Sequence, residues 1–413
     1  MDPTKRAPAQ LDLFSSVLHA YSANESGILE NSALYARVAE DRGISIDELS
    51  NTAPVGKAGA QHNLFARKVR WYQQTLKSAG ILEHVPGERG VWALTKPASK
   101  ELNKMPATVS VVGFSTDLGI AILGCAESVF ASKEEFITLV VTSPPYPLAV
   151  PRGYGNPTEK DYVDWICRTL EPVVRNLVPG GNICLNVSND IFLSRSPARS
   201  MYRERLVLAL HDRLGLWKMD ELIWSNPSKP PGPIRYASID RTQLNVAWEP
   251  VYWFTNNPAL VKSDNRRVLQ AHSERHLKLI KEGGEQREGS FSDGAYTLKH
   301  GRFGQETAGK IPRNILTFGH RCPEQTAYKK AARELGLPVH GAPMPMKLAS
   351  FLIEFLTEPG DVVADCFAGS FTTPHAAERL GRRWIASECM AEFVMGGATR
   401  FADSPGFYNR LAA

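Results

Sequence analysis

The chain predicts an α/β protein: a doubly wound, mostly parallel sheet, preceded by a small α+β unit. Three observations carry that expectation. Short apolar runs alternate with helix-period segments from Thr108 to Trp224 and again from Pro345 to Glu388, the rhythm of a parallel sheet with crossover helices. The run Phe136–Val141 stops at Thr142-Ser143-Pro144-Pro145-Tyr146. The run Asp361–Asp365 stops at Cys366-Phe367-Ala368-Gly369-Ser370-Phe371-Thr372-Thr373. Both look like strands ending in a specialised turn, at the carboxyl edge where open α/β sheets bind ligands.

Residues 1–105 read as the small unit. Leu11–Tyr21, Asn31–Arg42 and Asn63–Ala79 have helical apolar spacing, and Asn63 is placed to cap the third. Ile81–Val85 then pairs across Pro86-Gly87-Glu88-Arg89 with Gly90–Thr95, giving helices closed by a two-strand wing. The polar connection Lys96–Pro106 leads to residues 106–227. There Thr108–Gly113 and Leu118–Gly124 are strand candidates and Ala126–Lys133 a short helix. After Phe136–Val141 comes the helix Glu159–Leu177, with Tyr162, Trp165, Ile166, Leu170 and Val173 on one face. Val178-Pro179-Gly180-Gly181 is expected to break it before the strand Asn182–Val187. A helix over Arg203–Leu214 and a strand over Trp217–Trp224 follow.

Residues 228–333 lose the rhythm except for one apolar run, Val246–Phe254. They hold 18 Lys and Arg against 10 Asp and Glu, a net of +8 in a chain whose total is +5. A long irregular basic segment beside a catalytic-looking turn is the electrostatic footprint of a polyanion partner. Residues 334–413 restore order with the helix Pro345–Thr357, the strand Asp361–Asp365, the helix Pro374–Leu380 and the strand Trp384–Glu388.

Hydrophobic content of 43% and charged content of 22% describe a globular chain with a sizeable core. No apolar run reaches the ~18–20 residues of a membrane helix, and no secretory signal follows Met1, so no membrane partner is expected. Cys125, Cys167, Cys184, Cys322, Cys366 and Cys389 form no C-x-x-C pair. That argues against a zinc cluster or disulfide framework, and for a reducing cytoplasm.

Two consecutive prolines after Ser143 cannot continue a central ladder; they fix an extended path. Ser143 and the carbonyls of this path, beside the Tyr146 ring, suit a flat substrate with an exocyclic amino group. In the second turn Gly369 permits close backbone approach to a ligand, and Glu388, ending the next strand, suits a ribose diol. GxGxxG is absent, which speaks against a dinucleotide.

With T-S-P-P-Y at 142–146 first, a basic region next and D-C-F-A-G-S-F-T-T at 365–373 last, the chain resembles the amino-methylating DNA methyltransferases of restriction–modification systems. The motif order is that of their circularly permuted β class. The resemblance covers about residues 108–403. It implies a Rossmann-like fold that binds S-adenosylmethionine through Asp365, Phe367, Gly369, Ser370, Thr372 and Glu388, with His340 and Pro343 at the methionine part. It also implies Ser143, Pro144, Pro145 and Tyr146 as the catalytic residues, acting on a base flipped from double-stranded DNA. Within the family, Ser before the prolines goes mainly with N4-cytosine, and Asp or Asn with N6-adenine. Arg235, Arg241, Arg266, Arg267, Arg302 and Arg313 are the candidate DNA contacts. Trp224 is a candidate for the base pocket, with core packing as the alternative. The N-terminal unit resembles winged-helix domains of restriction-system proteins, and the resemblance implies a cognate restriction endonuclease, acting separately, as a partner.

Three positions depart from the family pattern. Phe371 replaces a small residue, Cys366 stands where proline is common, and Gly124-Cys125-Ala126 stands where Gly-Asp-Ala is frequent. None removes a catalytic group. Two other readings stay open from the residues: an N6-adenine enzyme on the same scaffold, and a non-catalytic winged-helix regulator, against which the intact Ser143 to Tyr146 and Gly369 count.

Overall fold

A computed structural model describes residues 17–411 apart from 18–19, 22–23, 25–26, 46–48, 56–59, 79–81, 95–103, 105–109, 149–151 and 153–154. Most of the expected helix Leu11–Tyr21 and of the connection Lys96–Pro106 lies outside the described residues. The chain divides after Glu101 into two compact units.

The first unit contains β1 (Ile28–Glu30), α1 (Asn31–Arg42), the hairpin β2 (Thr52–Val55) and β3 (Ala60–Asn63), α2 (Leu64–Ser78), β4 (Leu82–His84) and β5 (Val91–Leu94). Asn63 caps α2 as expected, its Oδ1 accepting the Ala66 amide at 2.8 Å. Gly43, at φ 59°, ends α1 in the left-handed conformation that costs glycine little. Leu34, Val38, Val69, Leu82 and Trp92 form the core. The expected wing has a third strand, in antiparallel order β1-β5-β4. β1 buries only Leu29 of its three residues, too short a pattern to read as a period.

In the second unit the elements are β6 (Val111–Ser115), β7 (Gly119–Leu123), α3 (Ala126–Val129), β8 (Ile137–Thr142), α4 (Tyr162–Arg175), β9 (Leu177–Asn186), α5 (Tyr202–Leu214), β10 (Trp217–Ser225) and β11 (Trp248–Thr255). There follow α6 (Glu274–Lys281), β12 (Gly289–Phe291), β13 (Tyr296–Leu298), β14 (Ile315–Thr317), α7 (Pro323–Glu334), α8 (Met346–Leu356), β15 (Val362–Asp365), α9 (Thr372–Arg379), β16 (Arg383–Glu388), α10 (Ala391–Ala398) and β17 (Tyr408–Asn409).

One ten-stranded sheet runs β14-β10-β11-β9-β8-β15-β16-β7-β6-β17. Its centre, β9-β8-β15-β16-β7, is parallel, and both flanks carry antiparallel pairs. Apolar layers cover both faces, as a doubly wound sheet requires. Leu348, Leu352 and Leu356 of α8 with Phe371 and Ala376 pack one face. Tyr162, Ile166, Leu170 and Val173 of α4, with Leu206 and Leu210 of α5, pack the other. Every residue of β8 is buried, consistent with its unbroken apolar run. Because the central strands are parallel, the carboxyl ends of β8, β15 and β16 open on one edge.

Two expectations need correction. The helix ends at Arg175, short of the expected Leu177, and Pro179-Gly180-Gly181 lies inside β9, which starts at Leu177 rather than Asn182. Its pairing shifts so that Ile137 faces Leu177 but Leu139 faces Asn182. Gly180 absorbs this bulge at φ 79°, where a Cβ would stand 2.2 Å from the Leu260 carbonyl oxygen. The basic region is also more ordered than its lack of period suggested. Its one apolar run forms β11, and it also contributes β14 to the sheet and holds α6 and the hairpin β12–β13, in which only Leu298 is buried, too little to read as a period. No helix among the described residues is long and apolar enough to cross a membrane.

Candidate active site

β8 delivers the chain to the sheet edge at Thr142, and the two prolines carry it along one wall of a cavity of about 660 Å³. That volume lies in the range of small-molecule sites. Ser143, Pro144, Pro145 and Tyr146 all line it. Ser143 Oγ lies 3.0 Å from the Tyr146 hydroxyl and 3.4 Å from Asn186 Oδ1, while the Tyr146 hydroxyl lies 3.2 Å from the same amide oxygen. The Tyr146 hydroxyl also donates to Glu249 Oε2 at 3.3 Å, and Lys229 Nζ donates to Glu249 Oε1 at 3.0 Å. Burial, then the neighbouring Glu249 carboxylate, pushes the Tyr146 phenol well above its ordinary value, so it keeps its proton. Asn156 Nδ2 donates to the Tyr146 carbonyl at 2.6 Å and holds the proline path from outside.

The opposite wall is built by the ends of β15 and β16. Glu388 accepts the Gly369 amide on Oε2 and the Met390 amide on Oε1, each at 2.8 Å. Two backbone donors orient the carboxylate and leave acceptor sites over. Burial raises its pKa while those amides pull it back. Gly369 turns at φ 50°, and a Cβ there would meet His340 Nε2 at 3.0 Å, so this close approach needs glycine. Phe367 and Trp165, with ring centroids 5.4 Å apart, flank one side; His340 and Phe393, 4.9 Å apart and edge-to-face, flank the other. Burial, then Arg152, Lys329 and Arg400, pushes His340 down to about 4, so the ring is neutral near pH 7.

The sequence-derived residues divide by this geometry. Phe367, Gly369, Glu388 and His340 line the cavity with the Ser143–Tyr146 segment. Asp365, Ser370 and Thr372 are buried behind it and hold the turn. Asp365 Oδ1 accepts the Thr142 hydroxyl at 2.7 Å and the Phe367 amide at 3.1 Å. The Ser370 and Thr372 hydroxyls are 3.1 Å apart, and Gln325 Nε2 donates to Thr372 at 2.9 Å. Pro343 is buried beside Ala342, which does reach the cavity. Trp224 is a core residue: 5% exposed, it donates Nε1 to the Phe318 carbonyl at 2.9 Å and does not line the cavity.

Phe371 shows how the turn accommodates a large residue. It takes the left-handed conformation at φ 58°, ψ 35°, and buries its ring against Phe114 at 5.2 Å. Gly397 makes room; a Cβ there would stand 2.3 Å from Phe371 Cδ2.

Of the arginines, Arg241 and Arg313 are exposed, Arg235 pairs with Asp240 and Arg266 with Asp264. Arg302 donates to the Thr297 carbonyl at 2.7 Å. Arg267 is tied into the fold, donating to the Lys262 and Thr357 carbonyls and to Glu358. Sequence reasoning missed Asn186, Lys229, Glu249, Arg152 and Trp165. A lone acid inside the apolar run Val246–Phe254 was the available signal for Glu249. Among the described residues, no group of His, Cys, Asp and Glu could hold a metal.

The donor set fits S-adenosylmethionine: a carboxylate with acceptor sites over, a glycine turn admitting close approach, and aromatic rings on both flanks. Comparison with known proteins agrees. Residues 137–398 match the DNA methylase family model, and residues 12–104 match the Mrr N-terminal domain. The chain is 32% identical over 314 residues to the type II methyltransferase M.PvuII of Proteus hauseri, covering 72% of this chain and 90% of that one. It is 26% identical over 263 residues to M.BglII of Bacillus subtilis, covering 62% of this chain and 61% of that protein. A solved structure described as PvuII DNA methyltransferase (cytosine-N4-specific) superposes with a TM-score of 0.54 at 30% identity, over 73% of this chain and 90% of that one. With the family match spanning most of the chain and holding both turns that face each other across the cavity, this protein belongs to the DNA methylase family, as a DNA methyltransferase whose methyl donor is S-adenosylmethionine.

Proposed function

We propose that this enzyme methylates the exocyclic N4 of a flipped-out cytosine at specific sites in double-stranded DNA. It does so as the modification partner of a separate restriction endonuclease or as an orphan enzyme on the nucleoid in the cytoplasm. The observation that carries the reading is Ser143 at the head of Pro144-Pro145-Tyr146, its Oγ 3.0 Å from a phenol that cannot readily ionise. The naming of a similar structure as cytosine-N4-specific supports it.

Glu388, Gly369, Phe367 and His340 would hold the cofactor, with Asp365, Ser370 and Thr372 fixing the turn behind them. When bound, S-adenosylmethionine supplies an electrophilic sulfonium methyl group. The chain's own part begins with the amino group. Its lone pair is delocalised into the cytosine ring, and acceptors at Ser143 Oγ and the Pro144 carbonyl draw its hydrogens out of the ring plane. The lone pair is thereby exposed toward the opposite wall, and held geometry is the main catalytic device. Unpairing the base costs a few kcal/mol, and stacking on the Tyr146 ring returns roughly 1–3 kcal/mol.

Once methylated, the nitrogen is positively charged and must shed a proton. Ser143 Oγ takes it while passing its own to the Tyr146 hydroxyl, which passes its own to Glu249 Oε2 along contacts of 3.0 and 3.3 Å. Asn186 orients both hydroxyls but, as a neutral amide, does not accept the proton. Lys229 holds the receiving carboxylate in place.

The test is chemical. Duplex DNA incubated with enzyme and cofactor is digested to nucleosides and separated. N4-methylcytosine is the expected product, and N6-methyladenine alone would overturn the choice of base.

A further inference from the structure

Between Gly232 and Val246 the chain leaves the cavity wall and returns to it. The Val246 amide donates to the Gly232 carbonyl at 2.7 Å and closes the neck. Lys229, just before the neck, and Glu249, just after it, both line the cavity. A Cβ on Gly232 would stand 4.0 Å from Asp190 Oδ2, and Asp190 lines the cavity too. The loop is tethered. Its Tyr236 ring packs on Phe192 at 5.2 Å, Gln243 Nε2 donates to the Pro197 carbonyl at 3.1 Å, and residues Ile234–Ile239 form a π-helical turn.

This anchored loop nonetheless turns its large aliphatic side chains to solvent: Ile234 is 67% exposed, Ile239 70% and Leu244 87%. Single exposed aliphatics are ordinary. Three on one tethered loop at a cavity mouth, interleaved with the exposed Arg235 and Arg241, call for a partner that is both apolar and anionic. Duplex DNA is such a partner, with an apolar stack between two rows of phosphates.

We propose that the loop 233–245 is a wedge. Resting on the function proposed above, it enters the base stack beside the target with Ile234, Ile239 and Leu244, while Arg235 and Arg241 meet the flanking phosphates. The apolar side chains fill space that the flipped base vacates and slow its return. Loop and cavity share Lys229 and Glu249 at the neck, so insertion and base capture occur at adjoining surfaces.

The test uses the full-length enzyme and a duplex of its determined site with pyrrolocytosine, a fluorescent cytosine analogue that still pairs with guanine, in place of the target cytosine; its fluorescence rises on unstacking. The variant carries Ile234→Ala, Ile239→Ala and Leu244→Ala together, which leaves both arginines and the buried core untouched. The wild type is expected to raise the fluorescence without cofactor, and the variant to lose at least about four-fifths of that rise. The kcat/KM of the variant on paired DNA is expected to fall roughly tenfold or more. It should recover to within about threefold of wild type on a duplex mismatched at the target, where unpairing costs less. A variant that raises fluorescence like wild type overturns the wedge. So does one whose loss the mismatch does not rescue, or one that changes only oligomeric state by light scattering, the mark of a self-association surface. A wild type that neither raises fluorescence nor methylates DNA would instead sink the function on which the wedge rests.

Discussion

The Thr142 hydroxyl donates to Asp365 Oδ1 at 2.7 Å, joining the last residue of the catalytic strand to the last residue of the cofactor strand. The two turns that face each other across the cavity are thus hung from one buried hydrogen bond. The same carboxyl oxygen accepts the Phe367 amide, so it sets the path of the cofactor turn as well.

Asp365 makes this bond at an electrostatic cost with a definite pH signature. Burial raises its pKa from 3.8 to about 6. A group raised on folding adds stability that is complete below its unfolded pKa and is lost as pH rises through the folded value. The shift corresponds to about 3 kcal/mol. His340 and His375, both pushed down to about 4 by burial, work in the opposite sense: their contribution is present above 6.5 and lost as pH falls. Asp365→Asn keeps an acceptor for Thr142 and Phe367 but removes the titration. Relative to wild type, its Tm is expected to be lowest near pH 4 and to rise to a plateau above pH 6. Paired melting curves across that range check it; a difference that does not change with pH would remove Asp365 as the cause.

Glu249 tests the proton path. Glu249→Gln keeps the side-chain shape but cannot take the proton, so the single-turnover methylation rate is expected to fall roughly 10²–10³-fold. Cofactor affinity and base flipping should stay near wild type. Tyr146→Phe breaks the same path one step earlier, and the double variant should lose little more than the worse single one, because the residues act as a unit. Multiplicative losses in rapid-quench measurements would show that the two act separately.

The half of the site carried by contiguous residues is legible in the sequence. Ser143 to Tyr146 and Gly369 with Glu388 are each set by a strand end and the turn chemistry beside it, and both reach the cavity. The other half comes from strands distant in sequence. Asn186 meets Ser143 because β9 lies beside β8, and Glu249 meets Tyr146 because β11 lies beside β9. Neighbour order in a sheet is not written in periodicity, so neither partner stands out from the residues alone. Trp224 illustrates the converse: an aromatic near the motif in sequence is placed in the core by the pairing of β10 with β11 and β14. The hairpin β12–β13 leaves no pattern because a single residue of its two short strands, Leu298, is buried.

Phe371 and Gly397 form a size-matched pair. Gly397→Ala places a Cβ 2.3 Å from Phe371 Cδ2, an overpacking expected to cost about 1–3 kcal/mol. Phe371→Gly relieves about 1–2 kcal/mol of left-handed strain but empties a fully buried ring site, for which Phe→Ala changes cost about 3–5 kcal/mol. A net loss of a few kcal/mol follows. In the Phe371→Gly background the added methyl of Gly397→Ala enters vacated space, so the double variant should be more stable than the sum of the singles predicts. A double-mutant cycle by urea unfolding measures this coupling. Strict additivity would mean that the ring already moves aside.

The arginines of the basic region separate by salt dependence. Arg241→Ala and Arg313→Ala remove exposed cations, and each lost phosphate contact should flatten the slope of log affinity against log salt by about 0.9. Arg266 starts from a fork with Asp264, whose carboxyl it holds down at about 2, so DNA must compete with that carboxylate and the slope should change less. Arg267 differs in kind. Its donors go to the Lys262 carbonyl at 3.0 Å, the Thr357 carbonyl at 3.3 Å and Glu358 at 2.9 Å. Arg267→Ala is therefore expected to lower stability by about 1 kcal/mol and leave the salt slope unchanged. Affinity titrations at several salt concentrations, run beside melting curves, distinguish the two kinds. A flattened slope for Arg267→Ala would place that side chain on the DNA rather than on the fold.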